Sequence, residues 1–229
     1  MPYRILPLVS GEIYHIFNRS IAGIHIFHSD HDLQRALDTL DFYHFLDPGV
    51  RFSYFSRWKP EKRSSYLESL YSGKNIIDIL SFSLMPNHIH FLLKQDIDGG
   101  ISRFMKLFQE SYAKFQNISL LRTGSMFQAM FKAVRIESEE QLIHVSRYIH
   151  LNPLTSHLLN DISQLQQYPW NSYVDYVSKP IHNFVDTTLV KGLFRSEKEF
   201  KEFTSNQVDY QRSLDIIKHL TIERHMPGM

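Results

Sequence analysis

The chain has 229 residues, 43% hydrophobic and 21% charged, an ordinary globular composition with room for one domain plus additions or two small ones. Its net charge is +1 with all 13 histidines counted neutral, so a nucleic-acid surface has to be local. The absence of cysteine excludes disulfides, thiolate zinc sites and cysteine nucleophiles; with no basic-then-apolar leader and no long apolar run, a cytoplasmic protein without a membrane segment is expected.

Glu12 to Arg19 reads as a first strand, rich in β-branched and aromatic residues. Ser29-Asp30 can cap a helix over roughly 31–46, where Leu33, Ala36, Leu37 and Leu40 recur at helical spacing before Pro48-Gly49. Residues 49–75 read as a strand start plus an inserted loop or short helix. Residues 76–84 and 88–94 form a hairpin about Met85-Pro86-Asn87. Leu80, Phe82, Leu84, Ile89, Phe91 and Leu93 suit its core face, and Ser81, Ser83, His88 and His90 suit an open one. After a turn at 96–100, Ile101, Phe104, Met105, Phe108, Tyr112 and Phe115 mark an amphipathic helix. Lys132 to Ile136 reads as a last strand.

Ser138-Glu139-Glu140-Gln141 matches a capping box that launches a helix bearing Leu142, Val145, Tyr148 and Ile149. Asn152-Pro153 is expected to close it, since the residue before proline is pushed out of the helical region. Tyr168-Pro169-Trp170 and Tyr173 follow as a packing segment. The order of strand, helix, hairpin, helix, strand predicts an α+β, ferredoxin-like antiparallel sheet with helices on one face. Residues 1–178 would form this domain and 179–229 a helical C-terminal appendage.

Two imidazoles in phase on one strand face suit a divalent metal, though His-x-His does not say which and a third ligand must come from elsewhere. Tyr148 and Asn152 are a helical turn apart. A tyrosine on such a helix is more often a core residue than a nucleophile, and Asn152 can be a helix cap as readily as a ligand. Between residues 94 and 135, seven Lys or Arg face three Asp or Glu. Arg103, Lys106, Lys132 and Arg135 are the cations expected to hold a phosphate backbone.

Four motifs, in order, resemble the single-tyrosine HUH transposases, and among them the REP-associated tyrosine transposases. They are Met85-Pro86-Asn87-His88-Ile89-His90; Gly124-Ser125-Met126-Phe127-Gln128 with Phe131-Lys132; Arg147-Tyr148-Ile149-His150-Leu151-Asn152-Pro153; and Tyr168-Pro169-Trp170-Asn171-Ser172-Tyr173. Tyr14-His15-Ile16-Phe17-Asn18-Arg19 fits as well. The resemblance implies a ferredoxin-like nuclease and strand transferase, dependent on Mg2+ or Mn2+, acting on single-stranded or hairpin DNA. It makes Tyr148 the nucleophile of a 5′-phosphotyrosine intermediate and His88, His90 and Asn152 the metal ligands. Arg147 joins the DNA-binding set, Tyr112 is a second choice of nucleophile, and a homodimer is left open. Two alternatives stand beside it: a catalytically silent DNA- or RNA-binding module, and a metal-dependent phosphodiesterase without a covalent intermediate.

Overall fold

A computed structural model describes residues 7–206. The core alternates as expected. Strand β1 (Ile13–Arg19) is followed by helix α1 (Asp30–Tyr43), strands β2 (Ile77–Met85) and β3 (His88–Gln95), helix α4 (Gly100–Ser119) and strand β4 (Lys132–Arg135). All pairings are antiparallel, in the order β2-β3-β1-β4, which is the ferredoxin-like topology. Helices α2 (Phe52–Phe55) and α3 (Pro60–Tyr71) fill the stretch before β2, where no strand forms.

Local chemistry explains the element ends. Ser29 caps α1 by accepting from the Asp32 amide. Gly99 takes the left-handed conformation before α4, and a Cβ at Gly100 would lie 2.2 Å from the Ile76 carbonyl oxygen, so this glycine pair serves a tight turn.

α1 and α4 pack on one sheet face with Tyr14, Ile16, Phe82, Leu84, Ile89, Phe91 and Leu93. The opposite face is not open, as the sequence reading had it. Helix α5 (Glu139–Thr155) lies along β2 and β3 there, building a second core from Leu80, Leu92, Leu142, Ile149, Leu151 and Leu154. The helices therefore occupy both faces, because α5 carries its own apolar stripe. Leu80 changes side through an irregularity between Ile79 and Ser81 that shifts the register. The two serines assigned to an exposed face are docking points. Ser81 Oγ meets Ser146 Oγ of α5 at 2.9 Å, and Ser83 Oγ accepts from Asn171 at 3.1 Å.

Ser138 caps the helix as expected, its Oγ accepting from the Gln141 amide, while Gln141 Oε1 reaches one residue past the N-cap to accept from the Glu137 amide. The helix does not end at Asn152-Pro153. It continues to Thr155 with Pro153 inside. Proline cannot donate to the carbonyl four residues back, that of Ile149. Asn171 Nδ2 supplies the missing donor, 3.2 Å from both the Ile149 and His150 carbonyls.

Short helices α6 (Ile162–Leu165), α7 (Tyr173–Val177) and α8 (Thr188–Lys191) and the longer α9 (Glu197–Ser205) complete the described residues; the rest of the appendage expected over 179–229 lies outside them. Val190 and Phe200 enter the second core, so the C-terminal helices dock on α5 and α7. The outer edge of β2 is covered by bridges from Ser83 to Asn171 and Ile79 to Val185. No helix among the described residues is long and apolar enough to cross a membrane.

Candidate active site

The pleat of β3 turns His88, His90 and Leu92 to the α5 side, opposite Ile89, Phe91 and Leu93. The His88 and His90 ring centroids are 5.0 Å apart. Register places Phe17 beside His90 and His15 beside Leu92, so His15 shares this face. Its Nε2 lies 2.9 Å from His90 Nδ1, with the rings stacked. His88 Nδ1 meets Asn87 Oδ1 at 2.7 Å. Both β3 histidines thus have their Nδ1 engaged by a neighbour.

Tyr148, half-buried on α5, arrives from above. Its ring stands edge-on to His90 at 5.5 Å and to His15 at 5.8 Å. The Ser81–Ser146 contact and Asn171 anchor this part of α5, fixing where the tyrosine falls. Asn152, one turn on, is 3% exposed, and its amide nitrogen donates to the Tyr148 carbonyl at 3.3 Å. Among the described residues no group of three or more His, Cys, Asp or Glu is arranged to hold a metal.

The remaining residues singled out in the sequence divide. Lys132 pairs with Phe17 across the sheet and so shares the histidine face. Arg135 pairs with Tyr14, on the other face, and forms a two-pronged ion pair with Glu12 at 2.6 and 3.1 Å. Arg103 and Lys106 are exposed on α4, also on the far side. Arg147 is 7% exposed. Its guanidinium sits 4.2 Å from the Phe203 ring, donates to the Phe203 carbonyl at 3.2 Å, and contacts His144 Nδ1 at 2.7 Å. It fastens α9 to α5 rather than facing solvent. Tyr112 is wholly buried in the first core, its hydroxyl donating to the Ile26 carbonyl at 3.0 Å and accepting from Gln116. Burial pushes that hydroxyl well above its ordinary pKa, and the sheet separates it from the histidines.

His15 is the residue that sequence reasoning missed. Its in-phase position opposite Tyr14 and Ile16 was visible, but only the pairing of β1 with β3 brings it to His90.

The family model for IS200-like transposases matches residues 43–152, a stretch that begins in α1 and ends at Asn152. Over that stretch, just under half of the chain, the sequence is similar to the IS200-like transposases. The match and the fold together support the HUH tyrosine transposase superfamily. A solved structure described as the REP-associated tyrosine transposase bound to a REP hairpin has a similar fold. Its TM-score is 0.50 at 14% identity, covering 82% of this chain and 93% of that one. No curated protein matches the chain in sequence.

Proposed function

We propose that this transposase-family chain is a metal-dependent single-stranded DNA endonuclease and strand transferase that works through a 5′-phosphotyrosine, at hairpin-flanked or repeat-like sites. One observation carries the reading: Tyr148 and the two in-phase histidines of β3 meet on one face of the sheet. The hairpin in the similarly folded structure supports the choice of substrate.

The donor set suits a divalent ion. A histidine that gives Nε2 to a metal carries its proton on Nδ1. His88 then donates to Asn87 Oδ1 and His90 to His15 Nε2, contacts the chain already makes. Two imidazoles leave the other positions to oxygen, which suits Mg2+ or Mn2+. Asn152 Oδ1 and the substrate phosphate are the oxygens proposed to fill them. When bound, the ion neutralises the phosphate's non-bridging oxygens and the charge that develops as the bond breaks.

Tyr148 Oη attacks phosphorus and loses its proton; the bond to O3′ breaks, and O3′ takes up a proton to leave as a free hydroxyl. The phosphotyrosine conserves the bond energy, so a 3′-hydroxyl can reverse the step without a nucleotide cofactor. Tyr148 lies against the histidines of its own chain, so the reading requires no second copy. Lys132 holds the backbone on this face.

An adduct assay tests the proposal. Labelled single-stranded hairpin DNA from the flanks of the gene is incubated with protein and Mn2+, then run on a denaturing gel beside Tyr148→Phe and His88→Ala. A metal-dependent covalent band, lost in both variants, is expected. Cleavage without a band would replace the tyrosine mechanism with simple hydrolysis. Tight binding with neither band nor cleavage would make the chain a binding module.

A further inference from the structure

The ferredoxin-like core needs only a connection between α1 and β2, yet this chain places α2 and α3 there. α3 contributes no buried residue; Tyr66, Leu67 and Leu70 are only half-buried against the first core. A helix that adds so little to the core is explained poorly by packing.

Its charge is lopsided. Residues 51–63 carry Arg51, Arg57, Lys59, Lys62 and Arg63 against Glu61 alone, in a chain of net charge +1. Arg51, Arg57, Lys59 and Lys62 are exposed, and none forms an ion pair among the described residues. Some cations elsewhere on the surface do find carboxylates: Arg135 with Glu12, Lys94 with Asp78 and Asp96, Lys201 with Glu197. Aromatic surface lies among the four. Tyr54 is 60% exposed, and the Lys62 ammonium sits 3.9 Å from the Trp58 ring. Cations without carboxylate partners, beside exposed Tyr54 and half-buried Trp58, suit a sugar-phosphate backbone and its bases, since the cations displace condensed counterions and an exposed ring can stack.

The insertion packs against the first core, on the sheet side opposite His88, His90 and Tyr148. Exposed Arg103 and Lys106 of α4 lie on this same side.

We propose that the α2–α3 insertion, through Arg51, Arg57, Lys59 and Lys62 with Tyr54 and Trp58, is a second DNA-binding surface that grips the backbone of DNA flanking the cleaved strand. It rests on the DNA substrate proposed above but not on the tyrosine chemistry, so binding measured without cleavage can fail by itself.

The test replaces all four cations by Gln in a Tyr148→Phe background, where cleavage cannot confuse the reading. Fluorescence anisotropy follows binding to a long single strand and to a short hairpin across a salt series. Four lost phosphate contacts should lower the salt slope for the long strand by about 3, and its affinity at least about tenfold, because each contact contributes about 0.7. The short hairpin should bind nearly as before. Thermal melting checks the fold, and a second quadruple variant exchanging Arg and Lys at the same positions should bind as the parent does. An unchanged slope on the long strand would overturn the proposal. So would a loss confined to anionic phospholipid vesicles with DNA binding intact, which would make the surface a membrane contact.

Discussion

Replacing His15 by Phe isolates the contact that orients His90. The ring and its edge contact with Tyr148 remain, while the Nε2 acceptor 2.9 Å from His90 Nδ1 is removed. His15 is 6% and His90 7% exposed, so water has little room to replace it. A buried N–H left without its acceptor costs about 1–3 kcal/mol. In the proposed metal-bound state His90 carries that N–H, so the cost falls on the bound state: about 10- to 100-fold in affinity, the range typical of a lost outer-shell partner. Titration calorimetry with Mn2+ and no DNA measures it directly. His15→Gln, whose amide oxygen can accept, should recover most of the loss. An unchanged dissociation constant in His15→Phe, with binding abolished in His88→Ala, would refute the reasoning.

Other outcomes follow from the packing. Asn171→Ala removes the donor that the Pro153 interruption makes necessary and should cost about 2 kcal/mol, seen as a Tm lowered by roughly 4–8 °C; an unchanged Tm would mean the helix closes the gap itself. Arg147→Gln should lower Tm by loosening α9 while leaving the salt dependence of DNA binding unaltered, and a fall in salt slope would return Arg147 to the DNA surface. Tyr112→Phe should still form the covalent adduct. Burial lowers the His150 pKa to about 3 and that of His44 to about 4. Below the ordinary value near 6.5 the unfolded chain takes up protons that the folded chain refuses, so these groups withdraw stability as pH falls from 6.5 toward 4. Asp41, raised to about 6 by burial, works the other way, losing stability as pH rises from about 4 to 6. With two histidines against one carboxylate, urea unfolding should show lower stability at pH 5 than at pH 7, with a smaller drop in His150→Phe; equal drops would remove His150 from the account.

Hydrophobic periodicity and cap chemistry are local, and they were readable. The alternation around Met85-Pro86-Asn87 yields the hairpin and puts His88 and His90 in phase. The spacing from Ile101 to Phe115 yields α4, and Ser138 with Gln141 starts α5. The motifs that resemble the transposase family supplied Tyr148, whose local chemistry alone favours a core role. The sequence by itself therefore determined the element order, the sheet class and which side chains to examine.

Tertiary structure decided what those side chains meet. Proline after Asn152 predicts a helix end, and only Asn171, brought from α7's approach, supplies the donor that lets α5 continue. Serines on an alternate strand face read as solvent-facing until a second helix brings Ser146 and Asn171 to them. Arg147 reads as a surface cation until α9 folds back with Phe203. His15 and His90, far apart in the chain, become neighbours through the pairing of β1 with β3. Backbone periodicity depends on a few adjacent residues, whereas each of these contacts depends on a partner from a distant segment, so packing alone assigns them.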